Sequence, residues 1–309
     1  MPRPPTDRPF PPSIDGPPDA ALARLFARPC RLLSPPAWTV PFLFTSPHSG
    51  RCYPPSLLER SRLDAITLRR SEDAFVDELF AGCVALGAPL LAAEFPRAFL
   101  DANRGISELD AGMFGGRLSV PVDAPGPRVS AGLGVIPRIV RDGAEIYRDK
   151  LEPLEADERL ERLYLPYHRM LAGLVEQARA RFGVAVLIDC HSMPSALGAP
   201  DVVLGDRYGA SAAPALTAAA EEAFNAAGFG VARNTPYAGG HTTVQYGRAA
   251  AGIHALQIEI NRGLYLDEET IAKRPCFETM KNCLTAALTQ LTAIAPSLLR
   301  PDALSEAAE

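Results

Sequence analysis

Short apolar runs alternate along this chain with longer stretches whose apolar residues recur every three or four positions. Residues 42–45 (FLFT) read as a buried strand that ends at Pro47-His48-Ser49-Gly50. Residues 73–86 carry apolar side chains at helical spacing and stop at Gly87, a residue suited to a helix C-terminus. A second strand is expected over 89–93. A long amphipathic helix over 158–181 ends near Gly183 and feeds 184–188 (VAVLI), the clearest buried strand of the chain. An Ala-rich helix follows over 213–227, then a strand over 255–260 (ALQIEI) and closing helices over 268–294. Alternating β and α segments predict an α/β fold in three layers, with a mixed, mainly parallel sheet between helices.

The ends differ from this middle. Eight prolines between Pro2 and Pro18 resist helix and central strand, so 1–20 reads as an extended arm. Residues 301–309 read as a flexible tail, and 21–300 as a single domain. The Pro- and Gly-rich stretch 121–142 is expected to be a long loop near the site.

Composition narrows the function classes. Of 309 residues 47% are hydrophobic, which is ample for a sizeable core. The net charge is −5 and no run of Lys or Arg stands out, so neither nucleic acid nor an anionic membrane surface is an expected partner. A small anionic substrate remains compatible, because a few arginines can serve it locally. The six cysteines contain no C-x-x-C pair, which argues against a zinc ribbon or a disulfide framework. No secretory h-region and no stretch of about 18 apolar residues is present, so the expectation is a cytoplasmic enzyme of unknown oligomeric state.

Candidate chemistry gathers at the strand ends, where α/β enzymes hold their sites. His48 follows FLFTSP and His191 follows VAVLIDC. Either alone is compatible with a structural histidine. Together, each beside small residues, they favour a metal pair, and a catalytic zinc takes three His or carboxylate ligands. Asp73 or its neighbour Glu72 is the candidate carboxylate, although both also suit a helix N-terminus. Asp189 suits the orientation of a ligand histidine. Glu259 ends an apolar strand, where a buried charge needs a partner or a task. It reads as a general base, against the alternative of an ion pair with Arg262. Arg97, Arg104 and Arg262 are candidates for anion binding, and Asn103-Arg104 can hold both oxygens of one carboxylate.

The blocks SPHSGRCYPP, SEDAFVDELF, FPRAFLDANR, GLGVIPRI, YLPYHRML, LIDCHSMPS, GGHTTVQYGR and ALQIEINRGLYLDE occur in this order over residues 45–269. Together they resemble the N-formylglutamate amidohydrolase family, itself related to zinc carboxypeptidases and aspartoacylase-like hydrolases. The resemblance implies a phosphorylase/hydrolase-like fold and hydrolysis of N-formyl-L-glutamate to formate and L-glutamate, a step of histidine degradation. It implies Zn2+ or another divalent metal on His48, Asp73 and His191, with Glu259 as catalytic glutamate. Those relatives carry a glutamate three residues after the first histidine, and here that position is Arg51. Asn103-Arg104 looks like the pair that binds the α-carboxylate. Arg97, Arg138 and Arg262 are then candidates for the second carboxylate, and His241 for the oxyanion. His168 and His254 read as structural.

Three rivals stand beside this expectation. The substrate could be another N-acyl amino acid or a small peptide. Ser192 or Cys190 could serve a nucleophilic hydrolase, though no G-x-S-x-G elbow is present. A non-catalytic anion-binding protein could keep the same fold.

Overall fold

The computed structural model describes residues 20–140 and 143–300. Of the Pro-rich arm only Ala20 falls within this range, and the tail at 301–309 falls outside it.

Among the described residues seven strands form the main sheet: β1 (Cys30–Leu33), β2 (Phe42–Ser46), β3 (Leu90–Ala93), β4 (Ala185–Met193), β5 (Val202–Gly205), β6 (Val231–Arg233) and β7 (Ile253–Asn261). Their order is β1-β3-β2-β4-β7-β5-β6. The central run β3-β2-β4-β7 is parallel, as is β5-β6, while β1 pairs with β3 and β5 with β7 in antiparallel fashion. The sheet is therefore mixed and mainly parallel, in an α/β fold.

Each strand sorts its side chains by alternation. On one face Leu43, Leu91, Leu187 and Ala255 pack with Tyr167 and Leu171 of the helix Leu165–Phe182. On the other, Phe42, Phe44, Val186, Ile188, Leu256 and Ile258 pack with the helices Pro214–Ala226 and Phe277–Thr292. Burying each such side chain contributes roughly 1.5–3 kcal/mol. Central strands covered on both faces explain why they read as nearly continuous apolar runs.

Several boundaries differ from the periodicity, each for a local reason. The helix expected over 73–86 is broken: Phe75 has a φ of 63°, a short helix spans Val76–Leu79, and a 3-10 segment covers Phe80–Val84 before Gly87 at φ 84°. The long helix starts earlier, at Pro153, and contains a π-turn at Leu160–Tyr164. Pro166 follows that turn and lacks the N–H that the Arg162 carbonyl would otherwise receive, so the widened turn absorbs the defect. Of the segment 268–294, only Phe277–Thr292 is α-helix; Leu266–Asp267 pairs with Ala272–Lys273 in a hairpin. Pro275 disfavours helix at the residue before it.

The differences in β4 and β7 bear on function. The apolar runs stop at 188 and 260, but the ladder carries β4 to Met193 and β7 to Asn261. Backbone pairing does not depend on side-chain polarity, so Asp189, His191 and Ser192 stay in strand. His191 therefore lies within β4 rather than past its end, and its register partner on β7 is Glu259.

Leu187 is fully buried in β4, so Leu187→Ala is expected to lower unfolding free energy by about 2–5 kcal/mol. Exposed Leu197→Ala should change it by less than about 0.5 kcal/mol. Urea denaturation of both variants measures the contrast.

Candidate active site

Alternation in β4 and β7 decides which polar side chains meet. Asp189 and His191 share the face that carries Leu187, and Gln257 and Glu259 share the face that carries Ala255. Cys190 points to the opposite face among apolar side chains, where burial pushes its thiol well above the ordinary range. Cys190 is thus remote from the polar face and poorly suited to act as a nucleophile. His48 follows β2, and its carbonyl accepts from the Asp73 N–H at 3.0 Å.

His48, Asp73 and His191 converge, with one possible ligand atom from each lying within 4.8 Å of the others. Asp73 Oδ2 lies 3.2 Å from His48 Nδ1 and 2.9 Å from His191 Nδ1. The outer ring nitrogens also face carboxylates: His48 Nε2 is 2.7 Å from Asp101 Oδ1, and His191 Nε2 is 3.0 Å from Asp189 Oδ2. A neutral imidazole has a single N–H, so a neutral ring here would turn a lone pair toward a carboxylate. In the metal-free chain burial works to lower His191, but Asp189 and Asp73 raise it well above its ordinary range. A cation between the two Nδ1 atoms and Asp73 Oδ2 removes that conflict and leaves both Nε2–H groups to Asp101 and Asp189. Carboxylates behind ligating imidazoles are the usual support of such sites. Tetrahedral ligands about 2.0–2.1 Å from zinc are roughly 3.3 Å apart, close to the spacings to Asp73. The donor set therefore fits a metal ion.

Of the neighbouring carboxylates left open by the sequence, Asp73 faces both rings. Glu72 accepts from Tyr53 Oη at 2.7 Å and from Arg69 Nε at 3.0 Å. Asp73 is held further by Arg262, whose Nη2 donates to Oδ1 at 2.8 Å while Nε donates to Ser192 Oγ and Nη1 to the Arg70 carbonyl. Arg262 is thus spent on the protein itself.

The charges tune one another. Burial works to raise Asp73, but hydrogen bonds from His191 and His48 outweigh it and hold the carboxyl well below its usual range. Asp101 is likewise depressed, with His48, Arg97 and Arg104 overcoming burial. Burial lifts Glu259 to about 7, against the pull of His191, and Gln257 Nε2 donates to its Oε1 at 2.8 Å.

These groups line a cavity of about 570 Å3. Arg97 lines it with its Nε on Asp101 Oδ2, 3.0 Å away. Arg104 lines it too, with Nε on the Leu133 carbonyl and Nη1 on the Asn103 carbonyl. Asn103 is buried, and its Oδ1 accepts from the Thr242 N–H at 2.7 Å. Its Nδ2 lies 3.1 Å from His191 Nε2 and 3.4 Å from Asp189 Oδ2; with a proton on Nε2, the amide donates to Asp189. Gly240 is required beside it, because a Cβ there would lie 2.4 Å from Asn103 Nδ2.

Two expected residues are not brought to the cavity wall. Arg138 pairs with Asp110 and Glu145, and His241 lies 3.2 Å from Tyr164 Oη. His168 is held by Tyr246 Oη and the Ala102 carbonyl, and His254 by the Leu299 carbonyl and the Ala213 N–H. Conversely, Arg70 and Arg128 line the cavity, Arg70 also feeling the Asp64 carboxylate electrostatically. Arg70 precedes the SEDAF block and Arg128 lies in a single helical turn, Pro127–Ser130, within the Pro/Gly-rich stretch, so neither carried a periodic signal. Asp101 stands within FLDANR, two residues before Asn103, where nothing local distinguishes it from an ordinary charged residue.

Fold and cavity together define an α/β protein with a buried His-Asp-His centre at the ends of parallel strands. Residues 40–266 match the sequence profile described as N-formylglutamate amidohydrolase, and the chain belongs to that family. An N-formylglutamate deformylase of Pseudomonas aeruginosa is 33% identical over 244 residues, covering 74% of this chain and 84% of that protein. One from Pseudomonas putida is 29% identical over 238 residues, covering 74% and 83%. The crystal structure of N-formylglutamate amidohydrolase from Ralstonia eutropha JMP134 superposes with a TM-score of 0.80 at 35% identity, covering 90% of this chain and 99% of that one. A gene product of Agrobacterium tumefaciens shares the fold at a TM-score of 0.59 and 18% identity, over 88% and 100%. No helix among the described residues is long and apolar enough to cross a membrane.

Because the folded-state pKa of Asp101 is depressed, the stability it contributes is full above roughly pH 5 and falls away as pH drops through 4. The gap in unfolding free energy between wild type and Asp101→Asn should therefore narrow between pH 6 and pH 3, as read from urea titrations at each pH.

Proposed function

We propose that this chain is a zinc-dependent amidohydrolase that converts N-formyl-L-glutamate to formate and L-glutamate. One observation carries the proposal: the His48-Asp73-His191 centre and Glu259 line one cavity together with Arg70, Arg97, Arg104 and Arg128. Family membership supports the same chemistry. We extend the proposal to a step of histidine degradation, which the family resemblance supports, and to the cytoplasm. The six cysteines, all free, are compatible with a reducing compartment.

His48, Asp73 and His191 would hold the metal, and Asp101 and Asp189 would orient the two rings. When bound, a divalent zinc ion supplies Lewis acidity toward the formyl oxygen and lowers the pKa of a coordinated water. The remaining work falls to side chains of the chain itself. Glu259 takes a proton from the attacking water and returns it to the departing nitrogen. A carboxyl lifted by burial toward 7 in the metal-free chain is suited to both halves of that transfer.

Substrate binding is assigned to the guanidinium edges that the protein leaves unused. Arg104 retains Nη2 and Arg97 both Nη groups, and Arg70 and Arg128 line the same cavity. We assign the α-carboxylate to the Asn103-Arg104 corner and the side-chain carboxylate to Arg70, Arg97 and Arg128. Forked guanidinium–carboxylate pairs supply both charge and direction. Arg262 orients Asp73 in this scheme, and His241 supports the loop that carries Gly240.

Formate release from N-formylglutamate should be abolished by exhaustive chelation and restored by stoichiometric Zn2+. Full activity in the chelated protein, or turnover of N-acetyl or peptide substrates with none of N-formylglutamate, would overturn the assignment. Glu259→Gln should lower kcat by about 100- to 10,000-fold with little change in KM, measured by steady-state kinetics.

A further inference from the structure

Gln257 stands two residues before Glu259 on β7, on the same face, and lines the cavity while being only 4% exposed. Its Nε2 donates to Glu259 Oε1 at 2.8 Å. With Glu259 ionised, as a base must be to take a proton, the Gln257 amide can only donate to it. The amide oxygen is therefore turned away from Glu259, and among the described residues no group donates to it. A buried acceptor left without a donor is destabilising, a cost that Met or Leu of similar size would avoid. Such an atom calls for a donor in the working state, and because it is closed off where it stands, the Gln257 side chain must turn to meet one. A secondary amide bound over Glu259 brings one N–H, located at the bond to be broken.

Resting on the amidohydrolase function argued above, we propose that Gln257 Oε1 accepts a hydrogen bond from the N–H of the scissile amide. One side chain would then hold both the base and the leaving nitrogen. As hydroxide adds to the carbonyl carbon, the planar nitrogen becomes pyramidal and its electron pair becomes basic. With its N–H anchored on Gln257, that pair is free to face Glu259. Glu259 delivers the proton it took from water, the C–N bond breaks, and the bonding pair leaves with nitrogen. The products are formate and the amino group of glutamate, which takes up the proton that formic acid gives off. Because the anchoring matters most once nitrogen is pyramidal, its loss falls on kcat more than on KM.

Asp189, the register partner of Gln257, also has a buried oxygen without a donor. If Gln257 merely shared an internal donor with Asp189, the substrate N–H would make no difference to the variant's kinetics. The test compares N-formylglutamate with its ester counterpart, in which oxygen replaces the scissile N–H. Gln257→Met weakens the hold on Glu259 for both substrates but removes the acceptor only for the amide. We expect the ratio of amide to ester kcat to fall about tenfold, the worth of one hydrogen bond. Gln257→Asn, which withdraws the amide by one methylene, should lower the ratio in the same direction and serves if the Met variant does not fold. An unchanged ratio overturns the inference, even if both variants are slower or less stable. If the wild-type holoenzyme releases formate from neither substrate, the amidohydrolase function itself fails and the inference falls with it.

Discussion

Asp73 is a fully buried carboxylate on which two imidazoles and a guanidinium converge, and the surrounding structure is organised to keep it ionised. Removing one partner from such a buried cluster typically costs about 3–5 kcal/mol, because an uncompensated charge remains. Asp101 and Asp189 stand behind the rings, and Arg97 and Arg104 stand beside Asp101. With both imidazoles neutral, four carboxylates (Asp73, Asp101, Asp189 and Glu259) face three guanidiniums (Arg97, Arg104 and Arg262). A divalent cation turns this local balance positive, which suits a dianionic substrate.

Backbone pairing does the positioning. His191 and Glu259 are register partners in adjacent parallel strands, so their separation is set by hydrogen bonds between main chains rather than by a loop. A slip of one residue in either strand would turn its functional side chain into the apolar layer beneath the helices Pro214–Ala226 and Phe277–Thr292. Nine residues of unbroken pairing between β4 and β7 guard against that slip.

How much of this was legible depended on whether a residue announced itself locally. The central strands stood out because burial on both faces leaves a run of apolar letters. His48, His191 and Glu259 stood out because each is polar at the edge of such a run. The edge strands β1 and β6 are too short and too exposed to leave a pattern, and β5 is only four residues long. Asp101, Arg70 and Arg128 looked like ordinary charged residues, since only the tertiary fold brings them around one cavity. Arg262 was legible as important but not in its task, because sequence does not show that all three of its donor directions end on the protein. The choice between Glu72 and Asp73 was equally hidden, as adjacent carboxylates in a broken helix point in different directions.

The site divides its parts unequally between the two kinds of backbone. His191, Gln257 and Glu259 project from the middle of the sheet, whereas Arg70, Arg104 and Arg128 project from the connections around its rim. Changes in the connections can reshape the wall that meets the substrate's anionic groups while leaving bond-breaking groups where the ladder holds them. Selection can therefore act on what is recognised and on how the bond is cleaved almost independently, and a new acyl amino acid could be accommodated without rebuilding the floor.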